Sequence, residues 1–335
     1  EDGERAKGRE ITLSLALALA AIEGEDMGEH ILVIGATLLD TKGKPLAGLE
    51  PGTSNPAYIR STRGGTARNV AENLGRLGAD VLLISAVGKD LTGQQLIVQT
   101  AEAGVNVDHV VTIEGENTGV YMALLEDDGS LSVALDDVRV MEHITPDFLR
   151  QKEDLFRDAT MIMMDGSLLP DSMQTIVELA QKYQVPLCAD PSSARLAYKL
   201  RPFLPHLHLV VPNEVEAAEL CEVDFGGYDP DISLDLAHML VKLGVDNVVI
   251  TLSDFGLDYA ASDETGYIEA NYSEMVDSTG TGDSVTAAII FGMVNDLPPV
   301  QCIRLGAAAA SLTLQTGETV VPDLSLDMLY DHLIV

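Results

Sequence analysis

The sequence predicts a single α/β domain built on a mostly parallel sheet, with a small separate β-sheet projecting from it. Two observations carry this reading. Short apolar runs alternate with longer amphipathic stretches along most of the chain, which is the pattern of βαβ units. One internal region breaks the alternation with polar-faced strands around a tight turn. Composition agrees: of 335 residues 46% are hydrophobic but only 4% aromatic, with no Trp. The core must therefore come from Ala, Val, Ile and Leu, which suits strands buried on both faces.

In chain order, residues 31–35 read as a buried strand and 66–77 as a helix with Val70, Leu74 and Leu77 at helical spacing. A second strand at 81–87 and a helix at 92–103 follow, stopped by Gly104. Residues 58–62, 107–113, 119–125 and 130–135 read as the strands of the projecting sheet, the last two joined by Asp127-Asp128-Gly129. The alternation then resumes, with strands at 161–164, 186–189, 207–211 and 248–252. Helices are expected at 171–183, 214–221, 232–243, 282–294 and 300–315.

Residues 1–29 stand apart. Residues 11–22 are apolar and follow Arg5, Lys7 and Arg9, yet Glu1, Asp2 and Glu4 precede them and Glu23, Glu25 and Asp26 follow. That stretch is too short to span a bilayer and its flanks are wrong for a secretory signal, so it is expected to be an N-terminal extension.

A formal charge of −33 disfavours nucleic acid and anionic membranes as partners. Any site for an anionic substrate then needs local positive potential from helix N-termini, a divalent cation or a few basic side chains. Arg63, Arg68 and Lys89 are candidates, each equally readable as a surface charge. Cys188, Cys221 and Cys302 are far apart in sequence and form no CxxC pair, which excludes a zinc knuckle and fits a reducing, cytoplasmic setting. His206 and His208 share a strand face but have no third ligand nearby, and Gly166-Ser167 is not a nucleophile elbow.

The most informative segment is Asp277-Ser-Thr-Gly-Thr-Gly-Asp283, which opens an apolar helix. Glycines at a helix start expose backbone N–H groups, and the helix dipole adds partial positive charge, so the turn suits a phosphate. Asp283 there serves equally as a helix cap or as a reactive carboxylate. No GxxxxGK[ST] occurs, because Pro45 follows Gly43-Lys44, and Val285 occupies the third position of a would-be GxGxxG.

Asp277–Asp283 resembles the D-T-x-G-A-G-D signature of the PfkB, or ribokinase-like, carbohydrate kinases. Gly64-Gly65-Thr-Ala-Arg-Asn69 resembles that family's second signature, Pro212-Asn213-Glu214-Val-Glu216 its N-x-x-E segment, and Thr251-Leu252-Ser253 with Gly256 its nucleotide-binding segment. The resemblance covers residues 30–335. It implies a ribokinase-like three-layer α/β/α fold whose small sheet is a lid, with lid strands drawn from about 41–62 and 107–136. It also implies an ATP-dependent kinase of a sugar or nucleoside hydroxyl, with Mg²⁺, and with K⁺ as a further candidate.

Residue by residue, the resemblance makes Asp283 the base and Gly280, Thr281 and Gly282 the donors to the transferring phosphoryl. Asp40, Gly64, Gly65 and Asn69 would hold the acceptor. Asn213 and Glu216 would hold Mg²⁺ through water, with Asn213, Thr251, Ser253 and Gly256 at the nucleotide. Asp277, Thr279 and Gly317 fall near the family's monovalent-cation site. The chain departs from the signature at Ser278 and Thr281, and Ser253 stands for a usual Gly.

Gly52-Thr-Ser-Asn-Pro56, Gly115-Glu-Asn-Thr118 and Ala134-Leu-Asp-Asp137 resemble the pseudouridine kinase branch, with Asn55 and Thr118 placed to read a uracil edge. The 5′-hydroxyl of pseudouridine is then the expected acceptor. The same segments are also ordinary turn formers. A ribokinase-like sugar kinase, another nucleoside kinase, or a catalytically silent ligand-binding protein on the same fold are the alternatives. A homodimer through the lid is a further expectation.

Overall fold

A computed structural model describes residues 30–126, 130–227, 229–252, 256–270 and 275–333. The expected extension at 1–29, the hairpin turn at 127–129 and Ser253 lie outside these residues.

The strands are β1 (His30–Ile34), β2 (Leu38–Pro45), β3 (Ala57–Gly64), β4 (Val81–Gly88), β5 (Val105–Ile113), β6 (Gly119–Leu125) and β7 (Leu131–Asp137). They continue as β8 (Ala159–Asp165), β9 (Leu187–Asp190), β10 (Leu209–Val210), β11 (Asn247–Thr251), β12 (Gly256–Ala261) and β13 (Thr265–Glu269). Nine of them form one sheet in the order β13-β12-β11-β10-β9-β8-β1-β4-β5. Every pairing from β11 to β5 is parallel, while β12 and β13 add antiparallel at one edge.

The period-two geometry of a strand sends alternate side chains to opposite faces. Leu32 and Ile34 of β1 join one apolar cluster, which includes Ile176, Ala217 and Leu240 from the helices Pro170–Tyr183, Glu214–Cys221 and Pro230–Lys242. Ile31 and Val33 join the other, with Val70, Ile289 and Leu305 from the helices Thr66–Arg76, Thr281–Val294 and Pro299–Leu314. The sheet is thus buried between two helical layers, which is why β4 is buried along its whole length and apolar except at Ser85.

The second sheet has the order β3-β2-β6-β7. The register pairs Asp40 with Thr62 and Tyr121, and Lys42 with Arg60 and Ala123, so these residues share one face. One expectation is corrected. The strand expected at 107–113 is not part of this small sheet: as β5 it pairs in parallel with β4 at the edge of the large one. The strands of the small sheet therefore come from 38–64 and 119–137. An edge strand has one solvated side, and its polar alternation imitates that of a small antiparallel sheet.

Because the strands are parallel, their C-terminal ends lie along one edge of the sheet. That edge carries Asp165 of β8, Asp190 of β9, Thr251 of β11 and, just past β10, Asn213. Ligands of open α/β sheets bind there. Among the described residues no helix is long and apolar enough to cross a membrane.

Candidate active site

The helix Thr281–Val294 starts against this edge. Gly280 precedes it with φ 82°, and a Cβ at Gly280 would strike the Thr319 carbonyl oxygen, so glycine is required there by the protein itself. Gly282 differs. A Cβ on it would meet nothing within 4 Å, although glycine inside a helix costs about 1 kcal/mol relative to alanine. Packing does not explain Gly282, whereas close approach by a ligand does. The intrahelical ladder opens with Ser284 N–H donating to Gly280 O at 2.9 Å and Thr281 N–H donates to Ser278 O at 3.3 Å, which leaves the Gly282 and Asp283 amides for an anion. The Thr281 hydroxyl is buried with no partner among the described residues, a donor available to the same ligand.

Asp283 lies in that first turn. Its carboxylate accepts a hydrogen bond from Asn69 Nδ2 at 2.6 Å. Burial raises its pKa to about 6, assisted by the charge of Asp165 and opposed by Asn69 and Arg68. Asn69 comes from the helix Thr66–Arg76, whose N-cap Gly65 has φ 94° and lies against the Ala36 carbonyl, leaving no room for a side chain. Gly64 abuts the Asp40 carboxylate in the same way. Asp40 is 6% exposed. Burial and the nearby charge of Asp283 raise its pKa to about 7, against Arg68 and Lys42. The predicted base and the predicted acceptor-binding residues Asp40, Gly64, Gly65 and Asn69 therefore converge. The Thr37 hydroxyl, next to Gly65, is also buried without a partner among the described residues.

Arg68 is not a surface charge. It is wholly buried, donates from Nε to Gly64 O at 2.9 Å, and bonds both Glu72 and Asn69 Oδ1. By occupying Oδ1 it turns the Asn69 amide so that Nδ2 faces Asp283. Glu72 in turn pairs with Arg68, Arg76 and Arg63; burial alone would raise its pKa, but these guanidinium groups hold it below the usual range. Lys89 makes an exposed pair with Glu114.

Further along the edge, Asn213 and Glu216 form a reciprocal capping box, with Glu216 N–H to Asn213 Oδ1 and Asn213 N–H to Glu216 Oε2 both at 2.9 Å. Glu216 is 6% exposed, and burial lifts its pKa to about 7, with Asp283 adding to the rise. Asp190, which accepts from Ser192 N–H and Thr286 Oγ1, is pushed well up by burial and then by Asp283 and Glu216. Carboxylates that raise one another's pKa make a site for a cation. Among the described residues no three His, Cys, Asp or Glu groups stand close enough to ligate an ion directly. The set fits Mg²⁺ held through water and phosphate oxygens, as that ion prefers.

Asp277 and Thr279 are also brought together, but on a side chain. Lys42 Nζ donates to Asp277 Oδ1 and Oδ2 at 2.7 and 2.8 Å and to Thr279 Oγ1. Burial would raise the pKa of Asp277, yet Lys42 and the Thr279 amide hold it below the usual range. Gly317 lies directly against the Arg60 guanidinium.

Other expected site residues serve the fold. Asn55 exchanges hydrogen bonds with Glu50 and donates to the Thr53 carbonyl, all within its own loop. Thr118 gives its amide and hydroxyl to Asp90, at 2.8 and 2.7 Å, and accepts from Gly88 N–H. In this structure the hydrogen-bonding groups of both residues are engaged within the protein, in loop and helix-cap anchoring. Thr251 bridges to Asn213 beside the nucleotide side, its N–H donating to Pro212 O at 2.9 Å. Gly256 has φ 117° and would strike the Ile268 carbonyl, so the β12–β13 hairpin explains it.

Sequence reasoning passed over Asp165, which receives Ala36 N–H at 2.8 Å, Ala67 N–H at 3.1 Å and Ser167 N–H at 2.9 Å, and so ties β8 to both sides of the acceptor cluster. It passed over Lys42 as well. Neither sits in a recognisable spacing, and only the sheet order brings them to the site.

A sequence profile for pfkB family carbohydrate kinases matches residues 29–325. The pseudouridine kinase of Escherichia coli K12 is 31% identical over 299 residues, covering 89% of this chain and 94% of that protein. A guanosine-inosine kinase from Exiguobacterium acetylicum is 28% identical over 300 residues, covering 88% and 97%. In three dimensions, Arabidopsis thaliana ribokinase complexed with ribose and ATP superposes with a TM-score of 0.80 at 21% identity, covering 92% of this chain and 99% of that one, which shows a shared fold. With its glycine-flanked Asp283, the Asn69–Asp40 cluster across from it and the lid sheet beside them, the chain belongs to the pfkB family of carbohydrate kinases.

Proposed function

We propose that this protein transfers the γ-phosphoryl of ATP to a hydroxyl of a sugar or nucleoside, with the 5′-hydroxyl of pseudouridine as the first candidate acceptor. The observation that carries the reading is Asp283, a carboxylate raised to about 6 and oriented by Asn69 at the N-terminus of a glycine-rich helix. A carboxylate so tuned is mostly ionised at neutral pH yet remains a competent proton acceptor. Asp40 would accept hydrogen bonds from the acceptor's other hydroxyls, fixing its orientation. Asp283 would take the proton of the attacking hydroxyl, while the amides of Gly282 and Asp283 and the Thr281 hydroxyl would oppose the charge on the transferring phosphoryl. Mg²⁺, held near Glu216, Asn213 and Asp190, neutralises phosphate charge when bound.

Similarity to a pseudouridine kinase supports the nucleoside, and similarity to a guanosine-inosine kinase keeps other nucleosides in play. With Asn55 and Thr118 engaged elsewhere, base recognition would fall to the inner lid face. There Tyr121, opposite Asp40 in the register, offers a ring for stacking. A cytoplasmic setting fits the free state of Cys188, Cys221 and Cys302. The outer face of the lid exposes Ile59, Met122, Val133 and Leu135, an apolar surface suited to a second copy of the chain.

The reading is tested by ATP consumption with Mg²⁺ against pseudouridine, uridine, guanosine, inosine, ribose and fructose. Pseudouridine is expected to give the highest kcat/KM. A preference for a free sugar discards the nucleoside assignment, and turnover with none of them favours a silent binding protein. Asp283→Asn is expected to lower kcat by about 10²–10⁴-fold while ATP binding by calorimetry persists.

Activity and stability are expected to respond oppositely to pH. As pH falls through about 6, Asp283 is protonated and kcat/KM drops. The folded-state values near 6 and 7 for Asp283 and Asp40 exceed the ordinary 3.8. Their contribution to stability is therefore full below that ordinary value and is lost as pH rises through 6 to 7. The melting temperature of the ligand-free protein should rise from pH 7.5 to 5.5, and Asp283→Asn should flatten that rise. An unchanged slope in the variant would remove Asp283 as its source.

Light scattering should report a dimer at micromolar concentration and a monomer for Leu135→Glu. A monomeric wild type would remove the lid interface.

A further inference from the structure

The family resemblance implies a monovalent-cation site at Asp277, Thr279 and Gly317, and the side chains there are already committed to cations of the protein itself. The Lys42 ammonium has three N–H donors, and all three are spent: two on the Asp277 carboxylate oxygens and one on the Thr279 hydroxyl. Arg60, the cross-strand neighbour of Lys42, lies on Gly317 and pairs with Glu318 at 2.6 Å. The residues present do not fit K⁺ as well, because it would compete with Lys42 for the same oxygens beside a second positive charge.

We propose that the Lys42 ammonium stands in for a monovalent cation, organising the turn that leads into the phosphate-binding helix and tying it to the lid. The turn shows how this works. Asp277 Oδ1 also accepts Thr279 N–H at 2.9 Å, and Val276 N–H donates to Leu314 O at 2.8 Å, so the carboxylate that Lys42 grips is the one that shapes residues 277–279. Gly280 and the amides of Thr281 and Gly282 follow directly. Lys42 also lies on β2 two residues from Asp40, on the same face of the lid. One strand therefore presents the acceptor-binding carboxylate and braces the phosphate-binding turn. In a chain with 20 Lys and Arg against 53 Asp and Glu, a cation held by two carboxylate oxygens is a specific allocation. Lys42 is a positioning residue: it acts through the turn and touches no reacting atom.

The role in turnover rests on the kinase reading above, whereas the cation response can be measured without an acceptor. The experiment compares KCl with choline chloride at constant ionic strength, reading melting temperature and, with the best acceptor, kcat and KM. Wild type is expected to show the same melting temperature and kcat in both salts. Lys42→Ala is expected to lose about 10-fold or more in kcat in choline. KCl should restore several-fold of that loss and raise its melting temperature, while Lys42→Arg stays indifferent to K⁺. A wild-type protein that K⁺ stabilises or activates several-fold overturns the proposal. So does a Lys42→Ala protein that matches wild type in choline, or one that K⁺ fails to restore. If Lys42→Ala does not fold, the wild-type comparison and Lys42→Gln decide the matter by melting temperature. Failure to find any acceptor would count against the kinase reading alone, since the thermal response to K⁺ does not depend on it.

Discussion

The hydrogen bond between the Asn69 side-chain amide and the Asp283 carboxylate is the constraint on which the site depends. It joins two glycine-rich turns that are 214 residues apart in sequence. Each turn opens a helix on the same face of the sheet, and Val70 and Ile289 pack in one apolar cluster there. Packing alone would bring the helices together without fixing which way Asp283 points. Arg68 settles the orientation of Asn69 by bonding its Oδ1, and Glu72 keeps Arg68 charged and buried. The chain thus places a buried ion pair behind the site, where removing one partner would cost far more than the pair itself contributes.

Electrostatics sets the second constraint. A strongly acidic chain gathers Asp40, Asp190, Glu216 and Asp283 at the C-terminal edge of its parallel strands. Burial raises each of them; the charge of Asp283 adds to the rise of the other three, and that of Asp165 to the rise of Asp283. Such an arrangement is unfavourable in the free protein and favourable once cations and hydroxyl donors arrive, which is the expected signature of a binding site. The counterweights are few and placed with care: a helix N-terminus, the buried Arg68, and two cations on the lid. The small sheet consequently brings positive charge to the turn ahead of the helix Thr281–Val294.

Much of this was legible in the sequence. The aliphatic strands and the helix Glu214–Cys221 follow from local patterns whose physics is short-range, while the convergence of the Gly64–Asn69 and Asp277–Asp283 segments was implied by the family resemblance alone. The errors have physical causes too. β5 was expected in the lid because an edge strand solvated on one side shows the same alternation as a lid strand. Arg68 read equally as a source of local positive potential or as a surface charge, because nothing local to it reveals that Glu72, one helical turn on, would be buried with it. Asn55 and Thr118 show a different limit: polar turn residues can serve a ligand or their own backbone, and only the structure shows that the backbone and Asp90 engage them here.

The sequence by itself determined the fold class, the family, the carboxylate at the helix start and the glycines around it, because helix starts, strand periods and glycine turns are written in contiguous residues. Only the tertiary structure decided which charges face one another. The strand order sets Asp165 and Asp190 side by side, and the lid register carries Lys42 across to Asp277. Electrostatic interactions act through space and not along the chain, so their partners become readable only after the sheet has been assembled.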